Sequence, residues 1–139
     1  MGDLQERITI EQPLDAVFSF LANPENRTEM YVNVVEVVKK EDTVYEEIRQ
    51  FSNRKVSSTL KLLEVVENKK VVLKSESNGL NVQYVYKVSS IDDGSTRVTF
   101  EGTVQTDTIR TKLLRPLLVK MLKREEGDHL TSVKKVMES

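Results

Sequence analysis

The chain has 139 residues, 38% hydrophobic and 31% charged, a balance that suits one folded domain over residues 1–139 rather than a disordered chain. The absence of cysteine excludes disulfides, zinc–thiolate and iron–sulfur sites and thiol nucleophiles, and the single histidine leaves any metal to carboxylates. With 21 basic and 22 acidic residues the formal charge is -1, so no electrostatic case for nucleic acid arises; residues 107–139 carry +3 against -4 for residues 1–106.

The amino-terminal MGDLQERITIEQ has neither a positive n-region nor an apolar h-region, and no run approaches the ~20 apolar residues of a bilayer span. The expectation is a cytoplasmic protein without integral membrane association. Leu4, Ile8 and Ile10 alternate with Gln5, Arg7 and Thr9, which predicts a strand over 4–11. Pro13 ends it and opens a short helix whose Leu14, Val17, Phe18 and Leu21 recur at spacings of three and four. Asn23-Pro24-Glu25 repeats the device, an asparagine cap with proline at the first position, and predicts a second short helix to about Met30.

Beyond Val32 the helical period vanishes. Strands are predicted over 33–39, 43–51, 55–66, 70–77, 80–91 and 95–106, joined by connections too short for crossover helices, so neighbours must pair as antiparallel hairpins. Asn78-Gly79 and Asp93-Gly94 supply residues that tolerate positive φ. Val82, Tyr84, Tyr86 and Val88 share one face, and Val98, Phe100, Gly102 and Val104 continue it on the next strand. Gly102 withholds a side chain in that face, which signals a bend or a close approach. From about 108 to 137 a helical stripe returns: Ile109, Leu113, Leu117 and Met121 lie four apart beside the row Leu114, Leu118 and Leu122, and Leu130, Val133 and Met137 prolong it. Pro116 predicts a distortion and Gly127 a weak point.

Seven antiparallel strands must curl, and their apolar face must be covered. The predicted fold is therefore α+β: a curled seven-stranded sheet around a long carboxy-terminal helix, with two short helices between the first two strands. The order of elements, with the passages Glu11-Gln12-Pro13-Leu14-Asp15-Ala16-Val17-Phe18, Leu21-Ala22-Asn23-Pro24-Glu25 and Glu126-Gly127-Asp128-His129-Leu130-Thr131-Ser132-Val133-Lys134, resembles the helix-grip fold of the START-like superfamily and its polyketide cyclase/dehydrase-like branch. The resemblance covers essentially the whole chain. It implies an apolar or amphipathic small molecule (lipid, polyketide or similar) in a cavity between sheet and helix, and in a minority of members a cofactor-free cyclisation or dehydration.

On the residues themselves, the expected cavity wall is Tyr31, Val82, Tyr84, Tyr86, Val98, Phe100 and Gly102 from the sheet side, faced by Leu113, Leu117 and Met121 from the helix, with Met30 and Tyr31 as its gate. Phe51 extends the same lining. Two phenols inside a sheet need hydrogen-bond partners or a polar ligand group. Glu46 and Glu47, adjacent in a strand, point to opposite faces; either Val44, Glu46 and Ile48 face inward, or Tyr45, Glu47, Arg49 and Phe51 do. His129, beside Asp128 and Glu125, reads as a histidine on the solvated flank of the helix. No catalytic residue, cofactor or metal is assigned. If the protein is an enzyme, Glu46, Glu47, Tyr84 and Tyr86 are its acid–base candidates. A filled core with a broad exposed apolar patch would instead favour a protein-binding adaptor, and the oligomeric state is not set by the sequence.

Overall fold

The computed structural model describes residues 3–51, 53–77, 79–106, 109–126 and 129–139. Asn78, Gly127 and Asp128, and the side chain of Phe51, on which expectations also rested, lie outside the described residues. Among those described, β1 (Leu4–Ile10) is followed by α1 (Leu14–Ala22), a 3₁₀ turn (Pro24–Asn26) and α2 (Arg27–Met30). Then come β2 (Val34–Glu41), β3 (Val44–Phe51), β4 (Arg54–Val66), β5 (Lys70–Ser77), β6 (Leu80–Asp92) and β7 (Ser95–Thr106). The described carboxy-terminal helical segments are α3 (Ile109–Leu113), α4 (Arg115–Glu126) and α5 (His129–Glu138).

The strands form one antiparallel sheet in the order β1-β7-β6-β5-β4-β3-β2. Consecutive strands pair through hairpins, and β1 returns to pair with β7, so β1 and β2 occupy opposite edges and α1–α2 cross between them. Register shifts between Val34 and Glu36, Leu62 and Glu64, and Ser90 and Asp92 bend the strands, as bulges do, and help the sheet curl. The strand bounds match the sequence expectation to within two residues. Gly79 takes φ 81°, the left-handed value that the hairpin before β6 requires.

Local chemistry explains the helix starts. Asn23 Oδ1 accepts a hydrogen bond from the Glu25 backbone N–H at 3.1 Å, and Pro24 takes the first position, where its missing donor costs nothing. The break in the last helix falls at Leu114, two residues before the proline. Pro116 cannot donate to a carbonyl one turn back, so the helix restarts at Arg115 with Pro116 in its first turn, where proline is tolerated.

The core occupies the concave face. Leu4, Ile10, Leu60, Val71, Leu73, Val82, Val88, Val98 and Val104 meet Val17, Phe18 and Leu21 of α1, Leu122 of α4, and Leu130 and Val133 of α5, all buried. Across β1, β7 and β6 the register places Leu4–Gly102–Tyr84 in one row and Glu6–Phe100–Tyr86 in the next. Gly102 is bare because its neighbours fill the space: a Cβ there would stand 2.9 Å from Cζ of Phe100 and 3.3 Å from Cβ of Leu4. A Cβ at Gly94 meets nothing nearer than Asp92 Oδ1 at 4.0 Å. Accordingly, Gly102→Ala is expected to lower stability by about 1–3 kcal/mol through overpacking while Gly94→Ala stays within about 0.5 kcal/mol of the parent, measured by urea denaturation. Equal stability of the two variants would contradict the packing account.

Candidate functional site

The period-two inner face of β3 is Tyr45, Glu47 and Arg49, all buried. This selects the second of the two phases left open by the sequence. Glu46 points the other way, partly exposed, accepting from Ser57 Oγ at 2.6 Å with Lys40 Nζ at 3.6 Å. Glu47 is 1% exposed and is shared by two guanidiniums: Arg27 donates to its Oε2 through Nε, and Arg49 Nε donates to Oε1 at 2.9 Å. Arg27, 2% exposed, descends from α2 and packs against two aromatic rings, its Cζ 4.9 Å from the Tyr31 centroid and 4.6 Å from that of Tyr84. Arg49 stands 4.7 Å from the Tyr31 centroid. Such stacking suits a weakly hydrated planar cation. Burial alone would raise the Glu47 pKa, but the charges and hydrogen bonds of Arg27 and Arg49 outweigh it and hold the carboxyl at about 2.

A second polar group sits one row along. His129, the first described residue of α5, packs edge-on to Phe100, with centroids 4.5 Å apart. Because Phe100 lies between Glu6 and Tyr86 in the sheet, an imidazole above its ring reaches both flanks: Nε2 is 2.9 Å from Tyr86 Oη and Nδ1 is 3.6 Å from Glu6 Oε2. Tyr31 joins the two groups. Its ring stacks on His129 at 5.1 Å with an interplanar angle of 14°, and it carries the Arg27 and Arg49 cations as well.

This cluster opens outward through a cleft of about 270 Å³ lined by Met30, Tyr31, Val32, Asn33, Arg124, His129 and Ser132. A larger trough of about 420 Å³ is lined on β1, β6 and β7 by Gln5, Glu6, Arg7, Val85, Lys87, Thr99, Phe100 and Glu101. Among the described residues, no three histidine or carboxylate side chains converge as a metal ion would need, and no helix is long and apolar enough to cross a membrane.

The profile of polyketide cyclase/dehydrase and lipid transport proteins matches residues 1–138. The chain belongs to this family. Searching curated proteins returns no significant match. Solved structures share the fold: a conserved protein from Geobacillus kaustophilus (TM-score 0.74, 14% identity, 96% of this chain and 93% of that one) and a START superfamily protein from Mycobacterium smegmatis (0.72, 8%, 97% and 96%). The di-domain aromatase/cyclase (ARO/CYC) BexL of the BE-7585A biosynthetic pathway aligns at TM-score 0.70 and 14% identity over 95% of this chain and 45% of its own.

In this family member the structure brings together Tyr31, Val82, Tyr84, Tyr86, Val98, Phe100 and Gly102 on the concave face, all but Gly102 in the buried apolar core. Leu113, Leu117 and Met121 do not face them. They are 78%, 64% and 44% exposed, because the restart at Arg115 turns Leu122, with the half-buried Leu118 and Val119, toward the sheet instead. His129 corrects the expectation of a solvated flank: only 3% exposed, it shares the α5 face of the fully buried Leu130 and Val133, with Val133 one turn on. The sequence reading missed Glu6 and Arg27. Glu6 carried a signal, since it has the parity of Leu4, Ile8 and Ile10; Arg27 shares the inward face of the one-turn α2 with Met30, and nothing in its neighbours marks it.

The Glu47 pair has a pH signature. Its folded pKa lies below the unfolded value of 4.5, so its stabilisation is fully present above pH 4.5 and is lost as pH falls toward 2. A depression of this size corresponds to roughly 3 kcal/mol. Glu47→Gln, which removes the negative charge that two buried guanidiniums share, is expected to cost about 3–5 kcal/mol at pH 7 and to approach the parent near pH 2, followed by urea unfolding across pH. A constant difference from pH 7 to pH 2 would contradict the ionised, doubly paired carboxylate.

Proposed function

We propose that the protein binds an apolar or amphipathic small molecule (a lipid, polyketide or similar compound) whose functional end enters the concave face through the cleft at Met30–Asn33. The observation that carries this reading is the composition of the interior at the cleft floor. Tyr31 and His129 line the cleft, and Tyr84, Tyr86 and Phe100 pack behind them; the five rings offer flat apolar faces with a few placed polar groups, the make-up of small-molecule sites in general. Family membership and the aromatase/cyclase fold relative agree with it. Tyr31, the stopper between cleft and interior, is the gate, and the wall behind it is Val82, Tyr84, Tyr86, Val98, Phe100 and Gly102.

Leu113, Leu117 and Met121 take part from outside. Leu117, Met121 and Arg124 follow one face of α4 at spacings of four and three, and Arg124 lines the cleft. The exposed stripe therefore leads to the mouth, and an acyl or polyketide body whose end has entered would lie along it. Affinity then comes chiefly from apolar area, at roughly 25 cal/mol per Å² before the costs of association. We assign the protein to the cytoplasm, with which a chain free of cysteine is compatible.

A second reading, an acid–base enzyme of cyclase or dehydrase type, draws on the Glu6–His129–Tyr86 chain, whose 2.9 Å phenol–imidazole contact could move a proton. Glu47, ionised down to about pH 2 and held by two guanidiniums, and Glu46, on the outer face, do not suit that role.

The binding reading is tested by native mass spectrometry of the purified protein, organic extraction of what copurifies, and titration of a lipid, sterol and polyketide panel. At least one compound is expected to bind below about 100 μM, and Leu117→Glu with Met121→Glu should weaken it about fivefold to tenfold without loss of fold. A panel with no binder removes the small-molecule function, and an unaffected double variant removes the outer stripe from the site.

A further inference from the structure

Arg27 is held from one side only. Glu47 engages Nε, and the terminal nitrogens Nη1 and Nη2 are buried with no hydrogen-bond partner among the described residues. A guanidinium has five N–H donors in a fixed plane, so four remain, all within the core. Leaving such donors unmet in a low-dielectric interior is costly, and native proteins seldom keep them without an acceptor that arrives from elsewhere. The rings of Tyr31 and Tyr84 pack against the cation, with centroids 4.9 Å and 4.6 Å from its Cζ, and its unmet donors lie in the plane of the guanidinium, where the two oxygens of a planar acceptor can meet them.

We propose that Nη1 and Nη2 of Arg27 form the anchor for a carboxylate at the end of the ligand, which makes the bound molecule an apolar monocarboxylic acid. This deepens the small-molecule reading above and rests on it. Two parallel N–H donors match the two oxygens of a carboxylate, the pairing for which arginine is favoured over lysine. A monoanion also suits the charges already there. Glu47 lies on the Nε side of the same guanidinium, so a dianionic phosphate would meet more repulsion, whereas one negative charge completes the coordination of a cation that Glu47 serves only in part. Tyr31 lies between the cleft and Arg27, stacked on His129 and against the guanidinium. Rotation of that one ring connects the mouth to the anchor.

The test uses the whole protein with decanoate and 1-decanol, which share a chain and differ in the head. Isothermal titration calorimetry on the parent should find decanoate bound about tenfold to a hundredfold more tightly than decanol, and Arg27→Met should abolish that preference. Equal binding of acid and alcohol by the parent overturns the anchor but leaves the small-molecule function standing; binding of neither overturns the anchor, and the small-molecule function then stands or falls with the lipid, sterol and polyketide panel. Should Arg27→Met fail to fold, carbon NMR of carboxyl-labelled decanoate on the parent decides the matter. An apolar pocket raises a carboxyl pKa and a guanidinium lowers it. The groups facing the site are Arg27, Arg49, Glu47, Tyr31, Tyr84 and Tyr86, with His129 and its neighbour Glu6 on the far side of Tyr31, and Arg27 is the contact that dominates. A bound carboxyl titrating at least about one pH unit below free decanoate supports the anchor, and any smaller depression or a rise overturns it.

Discussion

Two guanidiniums and one carboxylate inside a small apolar core are the constraint on which the rest of this molecule depends. Arg27 comes from a one-turn helix that has little surface of its own to bury, and its ion pair with Glu47 fastens that helix to β3. Once Arg27 is fixed, the next turn places Tyr31 against both cations, and the other face of Tyr31 receives His129 at the start of α5. His129 in turn takes up the phenol of Tyr86 on β6. A single chain of contacts thus runs from α2 through β3 and α5 to the centre of the sheet. A buried pair of this kind gives little net stability relative to apolar residues of the same volume, and its retention agrees with a role in specificity or binding.

The architecture was legible because it rests on period and punctuation. Strand alternation, hairpin-length gaps and the two proline-led helix starts suffice to write the element order, and the structure moves their bounds by one or two residues. Burial of Tyr84, Tyr86 and Phe100 followed from the same alternation. The site was legible only in part, for reasons that differ residue by residue. Glu47 and Arg49 depended on the phase of β3, which is ambiguous when both faces carry charge. Glu6 sat in plain alternation with Leu4 and Ile8, but a lone acid in a short edge strand reads as solvated. Arg27 and His129 depend on contacts between elements far apart in sequence, which no local pattern records.

The last helix shows how a good periodic signal can mislead about direction. Leu113, Leu117 and Met121 form a clean four-residue row, and so do Leu114, Leu118 and Leu122; one row must face out, and the restart after Leu114 decides which. The outward row leaves large apolar side chains exposed beside Lys112, Lys120, Lys123 and Arg124. Monomeric proteins seldom expose contiguous apolar surface without a use, and here it leads along α4 to the mouth of the interior. Under the proposed function, the outer stripe, Tyr31 and the buried cation would be the three parts of one amphipathic binding path.

The most direct measurement of that account is a crystal structure of the protein grown with a saturating medium-chain monocarboxylic acid. The account predicts a rotated Tyr31 ring, a carboxylate within about 3 Å of both Nη atoms of Arg27, and the apolar chain leaving through the Met30–Asn33 cleft toward Met121 and Leu117. A structure in which Tyr31 remains stacked on His129 and both Nη atoms are bonded to ordered water alone would contradict it.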